Sequence, residues 1–133
     1  MLTLLQNITD TILADTTMQG FISNRVYTEG IDITPETTLF PLLTIHSISE
    51  VTLTNPPNER ECLIQISIWS RLSHLETEQI AEQLLTLFNY QQFNTGYGTT
   101  ILRWQREDMG NDQFEADRRI WHKSITIRCW ARS

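Results

Sequence analysis

Lysine is almost absent from this chain: Lys123 is the single lysine among 10 basic residues, set against 16 acidic ones for a net charge of −6. Without a positive excess there is no long-range pull on phosphates, so a sequence-reading nucleic-acid binder is not expected. The arginine bias suits bidentate and stacked protein contacts, although genome composition produces the same bias. Cysteine is limited to Cys62 and Cys129. They form no CxxC or Cys/His spacing, which argues for a reducing compartment and against zinc. Long apolar runs are missing too: none approaches the roughly 20 residues a bilayer span needs. Residues 1–10 have no basic start and are interrupted by polar side chains, so they do not read as a signal peptide. The expectation is a soluble protein made in a cytoplasm, with no membrane partner, in which the Asn7-Ile8-Thr9 sequon is incidental.

The marks of catalysis are equally scarce. No GxSxG elbow or HExxH pair occurs. Gly96-Tyr97-Gly98 follows a helix and precedes a strand, the reverse of a phosphate loop, and reads as a turn. Residues 107–117 hold five carboxylates, but not at EF-hand spacing, and read as a solvated hairpin tip. His46, His74 and His122 are isolated in sequence and are read as surface or sheet-face residues. No catalytic, cofactor-binding or metal-binding residues are therefore assigned, and no cofactor is expected.

At 133 residues the chain is one domain, 1–133, and a domain of this size buries roughly 68% of its unfolded surface. It can support a core without disulfide or metal. Leu4, Leu5, Ile8, Ile12 and Leu13 recur at helical spacing and predict an amphipathic helix over 2–14. Gly20 is expected to end that region, with Met18, Phe21 and Ile22 in a turn. Arg25-Val26-Tyr27 reads as a short strand before a loose loop over 28–38. Residues 40–48 and 60–70 form a predicted strand pair whose tip, 50–59, contains Asn55-Pro56-Pro57-Asn58, which cannot sit in a ladder. Ser73-His74-Leu75-Glu76 is a capping box opening a helix whose apolar face is Ile80, Ala81, Leu84, Leu87 and Phe88. A polar break over 89–98 follows, then strands at 99–106 and 118–131. Hairpins on either side of a helix imply an α+β domain: a mainly antiparallel sheet of four to five strands with two helices on one face.

The two longest strands carry the functional signal. Strand side chains alternate faces, so Cys62, Ile64, Ile66 and Ile68 define a core face. Ile125, Ile127 and Cys129 do the same in the last strand. The opposite parity holds Ser124, Thr126, Arg128 and Trp130, and in the earlier strand it ends in Trp69. Such a face is left solvated in the monomer yet usable for contact. The competing reading is that both rings are covered by a loop or lie at a sheet edge. Long polar tips often serve binding. The candidate interface is therefore Trp69, Trp130 and Arg128, with Asn55, Pro56, Pro57 and Asn58 from one tip and Asp108, Asp112 and Phe114 from the other.

Taken in order, several features make the chain resemble the tail completion, or tail terminator, proteins of long-tailed bacteriophages. These are the leading helix; Arg25-Val26-Tyr27 and its loop; Phe40-Pro41-Leu42-Leu43 opening a strand; Ile68-Trp69-Ser70-Arg71 directly before a capped helix with Glu78-Gln79-Ile80-Ala81-Glu82; and the closing strand ending in Trp130. The resemblance covers nearly the whole chain. It implies a structural, non-enzymatic virion subunit, assembled in the host cytoplasm. Copies would form a ring, typically of six, that caps the tail tube and joins it to the head connector around a lumen through which DNA passes without sequence-specific binding. The tip over 51–60 departs from a compact turn. Two other classes stand beside this reading: a head-side neck protein or unrelated soluble adaptor, and an enzyme with a site built from scattered residues.

Overall fold

Alternating isoleucines build the centre of the molecule. The computed structural model describes residues 2–28, 40–52, 59–88, 93–94, 100–109, 113–116 and 119–132. The elements are α1 (Leu2–Ala14), α2 (Thr16–Ile22), β1 (Val26–Tyr27), β2 (Leu42–Thr52), β3 (Glu59–Ser70), α3 (His74–Leu87), β4 (Phe93–Asn94), β5 (Thr100–Met109), β6 (Gln113–Glu115) and β7 (Ile120–Arg132). β3 and β7 pair antiparallel at the middle of the sheet, with Ile64 opposite Ile127, Ile66 opposite Ile125 and Cys62 opposite Cys129. All six side chains are buried, and neither cysteine is in a disulfide.

The sheet order is β1-β2-β3-β7-β5-β4, with β6 continuing beside β7. Every pairing is antiparallel except β1 with β2. The architecture is the expected α+β one, with seven strands in place of four or five. The additions are the two- and three-residue strands β4 and β6. β4 falls in the stretch read as a polar break. The carboxylate-rich stretch also differs from expectation: Glu107 and Asp108 extend β5, and Phe114 and Glu115 belong to β6. Acidic residues are poor strand formers, but β7 offers both segments a ladder, and pairing overrides that preference. Likewise β2 runs on to Thr52, beyond the expected end at 48. The rest of that tip, with Asn55, Pro56, Pro57 and Asn58, lies outside the described residues, as do Asp112 and the loop over 29–39.

There are three described helices, where two were expected. Asp15 interrupts the first: its carboxylate accepts the Met18 backbone N–H at 2.9 Å and so caps α2. The same oxygen accepts from Gln83 Nε2 of α3 at 3.0 Å. Residues 16–22 are thus helix, not turn, and Gly20 lies inside α2 instead of ending the region. Burial of Met18 and Ile22 holds this short helix, which its length alone would not sustain. α3 starts with Ser73 as its N-cap, one half of the expected capping box, Glu76 N–H donating to Ser73 Oγ at 3.3 Å. The Glu76 carboxylate takes the Ser70 hydroxyl at 2.6 Å, fastening the helix to the end of β3.

Ile8, Ile12, Met18, Ile22, Ile80, Ala81, Leu84 and Phe88 from the helical side meet Leu43, Ile45, Ile64, Ile66, Ile68, Ile125 and Ile127 in one core on one face of the sheet. One buried cation interrupts the apolar parity of β7. Lys123 is 5% exposed, and its Nζ donates to Glu78 Oε1 of α3 at 2.8 Å. Removing the acceptor takes a charge-assisted bond from a desolvated ammonium, whereas replacing the lysine by an apolar chain of similar length removes the buried charge and leaves the Glu78 carboxylate, 38% exposed, to water. Glu78→Ala should therefore cost about 1–3 kcal/mol, and Lys123→Met less, by chemical denaturation.

Candidate functional site

With the helices on one face, the other face of the sheet is left to polar and aromatic side chains. Gln65 Nε2 donates to Ser124 Oγ at 3.0 Å and lies 3.4 Å from Ser67 Oγ; the two serine hydroxyls are 3.3 Å apart. Ser124 Oγ is 3.1 Å from His122 Nε2. Further along, Arg128 of β7, level with Leu63, forms an ion pair with Glu61, two residues along β3. This lattice binds β3 to β7 through side chains as well as backbone. It explains how a row of hydroxyl and amide groups sits on the outer face with its hydrogen bonds made internally.

The expected contact residues divide under this geometry. Trp69 is off the main core, as alternation requires, but it is not a free surface ring. It stacks on His122 with centroids 3.9 Å apart and planes 3° from parallel, and its indole N–H donates to Thr44 Oγ1 at 3.2 Å. With Phe40 it packs against Leu42 and Ile120, a second small core on the outer face. Trp130 is half-buried on the same face, in a row that runs Val51, Glu61, Trp130, Arg103 across four strands. Arg128 is engaged by Glu61 within the subunit. Asp108 lies in β5 opposite Thr126.

Phe114 stands apart from these. It is 50% exposed on β6 and rests against Trp121, ring centroids 4.7 Å apart. Trp121 in turn faces His74 at 5.5 Å, in the first turn of α3. Leu72 and Leu75, 76% and 58% exposed, flank the same turn. Since Trp121 is level with both Ser70 and Phe114, these three large apolar side chains gather at one end of the sheet. Beside them Phe40, Pro41, Arg71, Leu72 and Glu76 line an open depression. Singly exposed leucines mean little, but several exposed apolar side chains at one end of a sheet make that end a candidate contact surface. Sequence reasoning missed both: it reads Leu75 only as part of the capping box, and Leu72 falls between the strand ending at residue 70 and the cap at Ser73.

Among the described residues no three His, Cys, Asp or Glu side chains gather as a metal-ligand set. His46 is exposed on the outer face, His122 lies in the stack with Trp69, and His74 is on the helical side. No described helix is long and apolar enough to cross a membrane.

What fold and surface define is an α+β domain with one helix-covered sheet face, one hydrogen-bonded outer face and an apolar end. A chain in the virion of a native gene transfer agent particle is similar to it, with a TM-score of 0.73 over 98% of this chain and 96% of that one, at 7% identity. At that identity the likeness is one of fold. No family model matches the chain, and no curated protein matches it.

Proposed function

We propose that this chain is a structural, non-enzymatic component of a phage-like virion: a subunit that forms a ring, six copies by the tail-completion resemblance, capping the tail tube and joining it to the head connector. The observation that carries the reading is the end-to-end likeness to a chain of a gene transfer agent virion, reached independently of the sequence features that resemble tail completion proteins. The partners are then further copies of itself, the tube protein and the connector, with DNA passing through the lumen. A net charge of −6 suits a conduit that must not hold the phosphates it passes. The apolar end formed by Leu72, Leu75 and Phe114 is the docking surface for the next component along the tail axis.

A head-side neck protein would share this fold class and differ in position. Negative-stain images and solution mass of the purified chain, alone at rising concentration and mixed with isolated tail tubes, test the ring. Closed rings on tube ends are expected; a chain that stays monomeric under both conditions would overturn it.

A further inference from the structure

The two edges of the sheet are open over matching stretches. On β2, β1 covers Leu43 and Thr44 only, so residues 45–51 have no described strand on their outer side. On β5, β4 covers Thr100 and Ile101 only, leaving residues 103–109 in the same condition. Unpaired strand edges invite further pairing, and proteins ordinarily blunt them. Among the described residues both remain open over seven residues each, 45–51 and 103–109.

Their heights agree as well. Following the register across the sheet, Ile45 is level with Ile66, Ile125 and Met109, while Val51 is level with Glu61, Trp130 and Arg103. The open part of β2 and the open part of β5 therefore occupy the same band of the sheet. The short strands lie outside it at opposite ends: β1 beyond the Ile45 row and β4 beyond the Val51 row. Each stretch contains one bulge, between Ser47 and Ser49 on β2 and between Arg106 and Asp108 on β5, so their lengths stay matched.

Direction completes the match. β2 is antiparallel to β3, β3 to β7, and β7 to β5, so β2 and β5 run in opposite senses. A copy rotated about an axis along the strands, without sliding, brings its β5 edge antiparallel to the β2 edge of its neighbour, open band against open band. A contact between two different surfaces of the same chain closes into a ring when no translation accompanies the rotation, and grows into a filament when one does. We propose that neighbouring copies join in this way, residues 45–51 of one subunit pairing antiparallel with residues 103–109 of the next, so that the sheet continues from subunit to subunit. The occupant of each edge is a second copy of this chain, because only the chain's own opposite edge is known to match it in height, length and direction. The proposal rests on the ring reading above and specifies its interface.

The test is a double variant, Val51→Cys with Arg103→Cys, which places thiols in one row on opposite edges. Cross-strand neighbours in an antiparallel pair come within disulfide range. Oxidation of assemblies on tube ends should give a ladder of covalent multimers, ending at the ring size and collapsing to monomer on reduction. Hydrogen exchange of the unmodified protein gives a second readout that needs no variant. Amides in 45–51 and 103–109 should exchange at least ~10-fold more slowly in the assembly than in the monomer, as newly bonded amides do. Rings that form without the ladder and without this protection would overturn the edge contact while leaving the ring reading intact. Val51→Cys alone yielding a cross-linked dimer, with no higher multimers from the double variant, would overturn it in favour of a two-fold contact. A chain that never assembles would defeat the ring reading and this interface together.

Discussion

Ile66→Ala should lower the unfolding free energy by about 2–5 kcal/mol, the range for emptying a fully buried aliphatic site. Ile66 is completely buried, with Ile45 on one side strand and Ile125 on the other, and the helices close over it. A domain of this size holds roughly 5–15 kcal/mol in total, so one such change removes a large share. Urea unfolding of the variant measures it directly. Gln65→Ala, one residue away on the outer face, loses contacts with Ser124 and Ser67 and should cost only about 1 kcal/mol. Equal losses at the two positions would mean that the faces of β3 are not divided as described.

The apolar end gives the second large effect, on assembly instead of folding. Leu75→Asp combined with Phe114→Asp should leave the monomer within about 1 kcal/mol of the parent, since both side chains are at least half exposed and surface changes are usually small. Attachment to its axial neighbour should fall at least ~30-fold, because buried anchors at an interface centre carry ≥ ~2 kcal/mol each. Titrating the variant separately against isolated tail tubes and against filled heads identifies which partner this end meets. Unchanged attachment to both would show that the cluster is not a docking surface.

The parts of this molecule that could be read from sequence are those in which one physical pattern dominates. Cys62, Ile64, Ile66 and Ile68 alternate without interruption, and the sheet buries all four. Ser73 and Glu76 mark the start of α3 by cap chemistry, and the structure uses both. Reading failed where a tertiary partner decided the outcome. Residues 16–22 form a helix because Asp15 caps them and the core accepts Met18 and Ile22, while the glycine within them argued for a break. Residues 107–109 and 113–115 of the acidic stretch are strand because β7 is there to pair with them. Lys123 breaks the apolar parity of β7 and makes sense only beside Glu78, 45 residues earlier.

The candidate surface was legible to a similar depth. Alternation placed Trp69 and Trp130 off the main core, and they are off it; it could not show that Leu42 and Ile120 would gather round Trp69. Phe114 was singled out as part of a hairpin tip and stands exposed, though on a strand. The matching heights of the two sheet edges depend on register across four strands, which no single sequence displays.

Cryo-electron microscopy of the assembled particle tests the central claim most directly, because it reads position and copy number at once. The proposed function requires several copies of this chain in one closed ring at the head-to-tail junction, around a continuous lumen. Density for the chain elsewhere in the particle, or a single copy at the junction, would contradict it.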